Sequence, residues 1–110
     1  MPPSKLILKE NPTLKDFQEY VILLEKERGF EKQTVLQKCL LLGEEIGELF
    51  KAVRKMEAIS IDKQNSKVTN VEEELADILI YACAIANRYN IDLETAFREK
   101  EEINKKRVWS

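Results

Sequence analysis

Between Leu75 and Ala86 eleven of twelve residues are apolar, and the twelfth is Asp77. Neither proline nor glycine interrupts the run, so it reads as a helix without a polar face, and a helix apolar on all sides is buried. A carboxylate in that setting has to be neutralised, paired with a cation or bound to a metal, because a lone buried charge costs several kcal/mol. Glu74 stands three residues earlier, about one turn away on the same side.

The rest of the chain is punctuated for helices as well. Thr13 precedes Leu14, Phe17, Val21, Ile22 and Leu24 at helical spacing, and Gly29 follows Lys26 and Arg28, which predicts a first helix over about 14–28. From Lys32 to Met56 there is no proline, and Leu36, Cys39, Leu40, Ile46, Leu49, Phe50 and Val53 keep a 3.6-residue period. This second helix is long, although Gly43 and Gly47 each cost it about 1 kcal/mol against alanine. The stretch 58–70 is polar and aperiodic and reads as a loop, ending in Thr69 with Glu72 three residues on, a capping-box pattern for a third helix over about 70–89. Asp92 is placed as N-cap of a fourth helix reaching about Arg107. Pro2, Pro3 and Pro12 frame a packed arm over 1–12. The expectation is an all-α fold, an antiparallel helical bundle of about four helices forming a single domain over 1–110.

Composition narrows the function. Eighteen basic and twenty acidic residues give a net charge of −2, so no bulk positive field is present to hold nucleic acid or an anionic membrane, and a phosphate ligand has to be bound by local design. There is no histidine, which removes His-based general bases, Ser-His and Cys-His nucleophile pairs and His zinc sites. Cys39 and Cys83 both lie in apolar helical runs and suit small buried thiols in a reducing, cytoplasmic setting. The longest apolar stretch, nine residues from Ile78 to Ala86, is well short of the roughly 20 that span a bilayer.

At 100° per residue, Leu41, Glu45, Glu48 and Ala52 of the second helix fall on one stripe, with Glu44 at its edge beside Lys51. Glu45-x-x-Glu48 thus has the same spacing as Glu74-x-x-Asp77. A solvated acidic strip is the plain alternative for the first pair, and a buried salt bridge to a lysine or arginine is the alternative for Asp77. Two such pairs facing each other across antiparallel helices gather about four negative charges, which repel strongly unless a cation lies between them. Oxygen ligands without cysteine or histidine suit Mg²⁺ or Mn²⁺ rather than Zn²⁺. On the fourth helix Lys100, Asn104 and Arg107 recur at i, i+4 and i+7, a stripe of donors for phosphate oxygens or, alternatively, a solvated basic helix end.

Taken in order, Gly43-Glu44-Glu45-Ile46-Gly47-Glu48-Leu49, Glu74-Leu75-Ala76-Asp77-Ile78, Asp92-Leu93 and Lys100 with Asn104-Lys105-Lys106-Arg107 resemble the MazG-like, all-α nucleoside triphosphate pyrophosphohydrolases. The family pattern is E-E-x-x-E, a spacer, E-x-x-D and a downstream K-x-x-x-N, and the resemblance covers roughly 30–107. It implies hydrolysis of a nucleoside triphosphate, often a deoxynucleotide, to the monophosphate and pyrophosphate. It also implies Mg²⁺ held by Glu45, Glu48, Glu74 and Asp77, with Glu44 assisting beside them. Relatives form dimers or tetramers by packing helices between subunits, and a helix apolar all round calls for the same partner helices here. They often read the base with a tryptophan or histidine in the first helices, where this chain has Phe17, Tyr20 and Phe30 and carries its one tryptophan at Trp109.

Without histidine, the base for such a hydrolysis is a carboxylate such as Glu44, with Glu45 beside it, or a hydroxide generated at the metal. A non-catalytic helical dimerisation or nucleotide- and metal-sensing module is the competing reading, and turnover separates the two.

Overall fold

The computed structural model describes residues 3–57 and 70–109. Four helices follow one another, α1 (Leu14–Arg28), α2 (Val35–Met56), α3 (Val71–Arg88) and α4 (Leu93–Lys105), and the described residues contain no strand. The class is all-α, as the periodicity predicts. No described helix is long and apolar enough to cross a membrane. Two compact units contain these elements, Met1–Lys32 with Cys83–Ser110, and Gln33–Ala82, so that α3 contributes its C-terminal residues to the first and its N-terminal residues to the second.

In the first unit, α1 opens on a capping box. The Thr13 hydroxyl accepts from the Asp16 N–H at 3.1 Å, and the Asp16 carboxylate accepts from the Thr13 N–H at 2.8 Å, which holds that carboxyl below its ordinary range. Gly29 closes the helix at φ 76°, a left-handed conformation that glycine adopts without a Cβ penalty. Gln18 then ties three segments together. Its Nε2 donates to Asn87 Oδ1 at 3.1 Å and to the Ile91 carbonyl at 2.7 Å, and its Oε1 accepts the Leu93 N–H at 2.9 Å. That last bond corrects the expected cap of α4. Asp92 occupies the N-cap position but makes no capping bond to the backbone. Its carboxylate accepts the Thr95 hydroxyl instead, and Gln18 satisfies the first N–H of the helix from α1.

Arg88 and Glu25 form the buried ion pair of this unit. Nη1 and Nη2 donate to the two carboxylate oxygens at 2.8 and 2.7 Å, and the same two nitrogens also reach the Ala84 and Phe30 carbonyls. A bidentate pair with its spare donors satisfied is the arrangement in which burial is tolerated. The N-terminal arm is only partly packed. Leu6 is half-buried, Ile7 is exposed, and Lys9 pairs with Asp16 at 3.5 Å.

In the second unit, α2 begins at Val35 rather than Lys32, because Thr34 and Gln37 form its capping box. The loop over 58–70 and its Thr69 lie outside the described residues except for Asn70, whose side chain accepts the Glu72 N–H at 2.8 Å and so supplies a cap for α3. Within the single chain, two apolar surfaces for which the sequence calls for partner helices are open. The apolar stripe of α2 faces outward, with Leu36, Leu40 and Phe50 each about two-thirds exposed and Cys39 exposed beside them. Leu75, Ala76 and Leu79 on α3 are also open, so only its C-terminal part, with Cys83, Ala84 and Ala86, is buried as foreseen. The reason is the choice of face: α2 buries Lys38 and Ala52, which lie on the side that carries Glu45. One neighbouring helix cannot cover both sides of another.

Replacing Glu25 by alanine leaves Arg88 buried without its partner, and should destabilise the chain by about 3 kcal/mol. Chemical denaturation monitored by circular dichroism measures this. A loss under about 0.5 kcal/mol would place the pair in the class of exposed bridges.

Candidate functional site

Within the unit Gln33–Ala82, α2 and α3 run antiparallel, with Glu45 beside Glu74 and Lys38 beside Tyr81, so that register numbers fall on one helix as they rise on the other. This geometry turns the two E-x-x-acid spacings into one cluster. Glu45, Glu74 and Asp77 each bring a carboxylate oxygen within 4.8 Å of the others. Glu74 is only 6% exposed, and its Oε2 is buried without a hydrogen-bond partner.

The electrostatics follow from the crowding. Two carboxyl groups can hydrogen-bond only by sharing a proton, and the bond from Glu45 to Glu74, with partial burial and the charges of Asp77, Glu74 and Glu48, pushes Glu45 up to about 7. Glu48 therefore senses the cluster, although its own oxygens are not part of the close group of three. Glu44 is exposed at the edge, near enough for its charge to act on Tyr81. Burial first, and then Glu45, Asp77 and Glu44, raise the Tyr81 phenol. Lys38, 3% exposed, lies over the Tyr81 ring at 5.4 Å from its centroid.

The residues proposed on α4 belong to the other unit and are not equivalent to one another. Lys100 is exposed. Asn104 is half-buried, and its Oδ1 is inaccessible and without a hydrogen-bond partner. Arg107 lies beyond the helix, which stops at Lys105, and its guanidinium stacks 4.7 Å from the Trp109 ring centre, so the i, i+4, i+7 stripe ends at Asn104. Lys38 and Tyr81 were missed in the sequence. Their signal was available in the spacing, since Lys38 is seven residues before Glu45 and Tyr81 four after Asp77, each on the same face as its acid.

The raised Glu45 carboxyl has a thermodynamic consequence with a definite sign. Its ordinary value is 4.5, so between pH 4.5 and about 7 the folded chain binds more protons than the unfolded one, and stability falls as pH rises through that window. In chelator, the melting temperature should therefore drop from pH 4.5 to 7, and Glu45→Gln should flatten the slope. A wild-type profile that rises or stays level across this range would contradict the shared proton.

A family model describing the MazG nucleotide pyrophosphohydrolase domain matches residues 30–108. Human dCTP pyrophosphatase 1 is 31% identical over 109 residues, a match that covers 96% of this chain and 64% of the human protein. The rat protein of the same name is 33% identical over 100 residues, covering 87% and 59% respectively. The chain thus spans less than two thirds of the length of these curated relatives. With nearly three quarters of its residues matched in one continuous block that contains both acidic motifs and the lysine and asparagine of α4, the chain belongs to the MazG nucleotide pyrophosphohydrolase family.

Proposed function

We propose that this chain hydrolyses a nucleoside triphosphate to the monophosphate and pyrophosphate, with a divalent cation bound at Glu45, Glu74 and Asp77 and with Glu48 completing the acidic face. The observation that carries the reading is Glu74: a carboxylate oxygen nearly sealed from water, lacking a partner, within 4.8 Å of two further acids. A buried anion of this kind needs a counter-charge, and an all-oxygen donor set fits a hard ion, Mg²⁺ or Mn²⁺.

When bound there, the cation supplies screening of the phosphate charges and acidification of a water. The chain's own groups do the rest. Glu45, Glu74 and Asp77 would hold the cation as carboxylates. Glu44, exposed at the edge of the cluster, is the proposed acceptor of the attacking water's proton. Oxygen from that water forms the new bond to phosphorus, the α–β phosphoanhydride bond breaks, and the bridging oxygen departs with pyrophosphate. Lys100 and Asn104 are proposed as phosphate donors, with Arg107 in a lesser role because Trp109 already engages it. Since both relatives described above are named for dCTP, deoxycytidine triphosphate is the first substrate to test.

We also propose a homo-oligomer, dimer or tetramer, in a cytoplasmic setting. Leu36, Leu40 and Phe50 on α2 and Leu75 on α3 are each at least half exposed, and large apolar side chains left open on neighbouring helices favour a partner surface. Packing helices of a second copy over them removes them from water.

A panel of NTPs and dNTPs with Mg²⁺, resolving pyrophosphate from orthophosphate, tests the activity. The best substrate should yield pyrophosphate, and Glu45→Gln, Glu74→Gln and Asp77→Asn should each cut turnover at least about a hundredfold while the helical circular dichroism is kept. Millimolar Mg²⁺ should raise the melting temperature, by linkage worth about 2.7 kcal/mol at a hundredfold excess over Kd. Absence of pyrophosphate with every nucleotide, combined with a retained Mg²⁺ shift, would favour a sensing module.

For assembly, light scattering should give a multiple of 12.8 kDa at micromolar concentration, and Leu40→Glu should reduce it toward one subunit. A wild-type monomer would remove the oligomer from the scheme.

A further inference from the structure

Lys55 is an unexplained cation on the helix that carries the acidic face. It stands seven residues after Glu48, which returns it to within about 20° of the same side of α2, about 10 Å further along the axis. A lysine near a helix C-terminus ordinarily reaches outward to solvent and complements the last carbonyls. Lys55 does not. Its Nζ is inaccessible and has no hydrogen-bond partner among the described residues. Side chains on a helix lean toward its N-terminus, which carries this ammonium back along α2 toward Glu48. The charge of Glu48 is felt there, together with those of Lys51 and Arg54, while burial pushes the ammonium below its ordinary value.

An ammonium inaccessible to water, with Lys51 and Arg54 acting on it and no hydrogen-bond partner among the described residues, calls for an anion in direct contact. Glu48 lies one helical face-repeat away, and its carboxylate belongs to the acidic side of the cluster. The group that fits is an extended anion, one end of which is held at Glu45, Glu74 and Asp77. A phosphate chain is extended and carries that charge, and three rotatable N–H donors suit its non-bridging oxygens.

We propose that Lys55 is a ligand for the distal phosphates of the substrate, holding the part of the chain that leaves as pyrophosphate. This rests on the pyrophosphohydrolase reading above and adds the residue that grips the leaving group. As the α–β bond breaks, negative charge grows on the departing oxygen and spreads over pyrophosphate, and the nearby ammonium stabilises it without any proton transfer.

Titration calorimetry of the full chain with inorganic pyrophosphate and Mg²⁺ tests this apart from turnover. Lys55→Met should weaken pyrophosphate binding at least about tenfold, and Lys55→Arg should restore most of it. The Mg²⁺-dependent melting shift should be the same in all three proteins. In kinetics the Met variant should raise KM for the best triphosphate at least about tenfold, while inhibition by the monophosphate product stays unchanged. Without ligands it should melt no lower than wild type, because an unpaired buried charge has gone. If Lys55→Met does not fold, Lys55→Gln gives the same comparison. Wild-type pyrophosphate affinity in the Met or Gln variant overturns the proposal, as does a wild-type chain that fails to bind pyrophosphate. Pyrophosphate binding that depends on Lys55 in a chain that hydrolyses no nucleotide would keep this site and reject the proposed activity.

Discussion

Mutual repulsion of carboxylates between α2 and α3 is the constraint around which the second unit is arranged. Glu45, Glu74 and Asp77 converge within 4.8 Å, and the crowding pushes the Glu45 carboxyl up to about 7. An apolar pairing of the same two helices was open to this sequence, since α2 has a complete apolar stripe on its other side. The fold instead turns the acidic side inward. A helix pair that accepts this electrostatic cost in place of ordinary hydrophobic burial is built for a ligand that removes the cost.

The first unit shows the opposite strategy. Around Gln18 and Arg88 the buried polar groups are matched: Gln18 uses both amide atoms, Asn87 returns a bond to the Gln18 carbonyl, and Arg88 meets Glu25 through both oxygens, although Asn104 Oδ1 of the same unit has no partner among the described residues. Satisfied networks of this kind lock side chains in a single arrangement. The contrast between a saturated network around Gln18 and Arg88 and the unmet acceptor of Glu74 is what singles out the acidic cluster, more than the number of its charges.

Helix boundaries were legible because they are written locally. Thr13 and Gly29 act within four residues of themselves, and α1 starts and stops as its caps predict, while the Thr34 cap that starts α2 is just as local but went unread. The acid spacing was legible for the same reason, since one turn separates Glu74 from Asp77 whatever surrounds them. What could not be read was anything decided by a distant neighbour. Asp92 has the composition of a cap, yet the bond to Leu93 comes from Gln18, 75 residues away in sequence. The apolar period of α2 was correct as a period but silent on which face the adjoining helix would take. Lys38 and Lys55 look like surface lysines in the sequence, and only packing shows that one lies over an aromatic ring and the other is sealed from water.

The near-complete enclosure of Glu74 bears on how this chain can change over generations. A residue held at the expense of the fold is one that selection for robustness alone tends to erase, because a glutamine of the same shape has no charge to neutralise. Variants drifting without demand for the site should lose this carboxylate early, and an engineer who optimises the chain for heat resistance would be led to the same substitution. Retaining Glu74 through such a campaign therefore requires that it be excluded from the search.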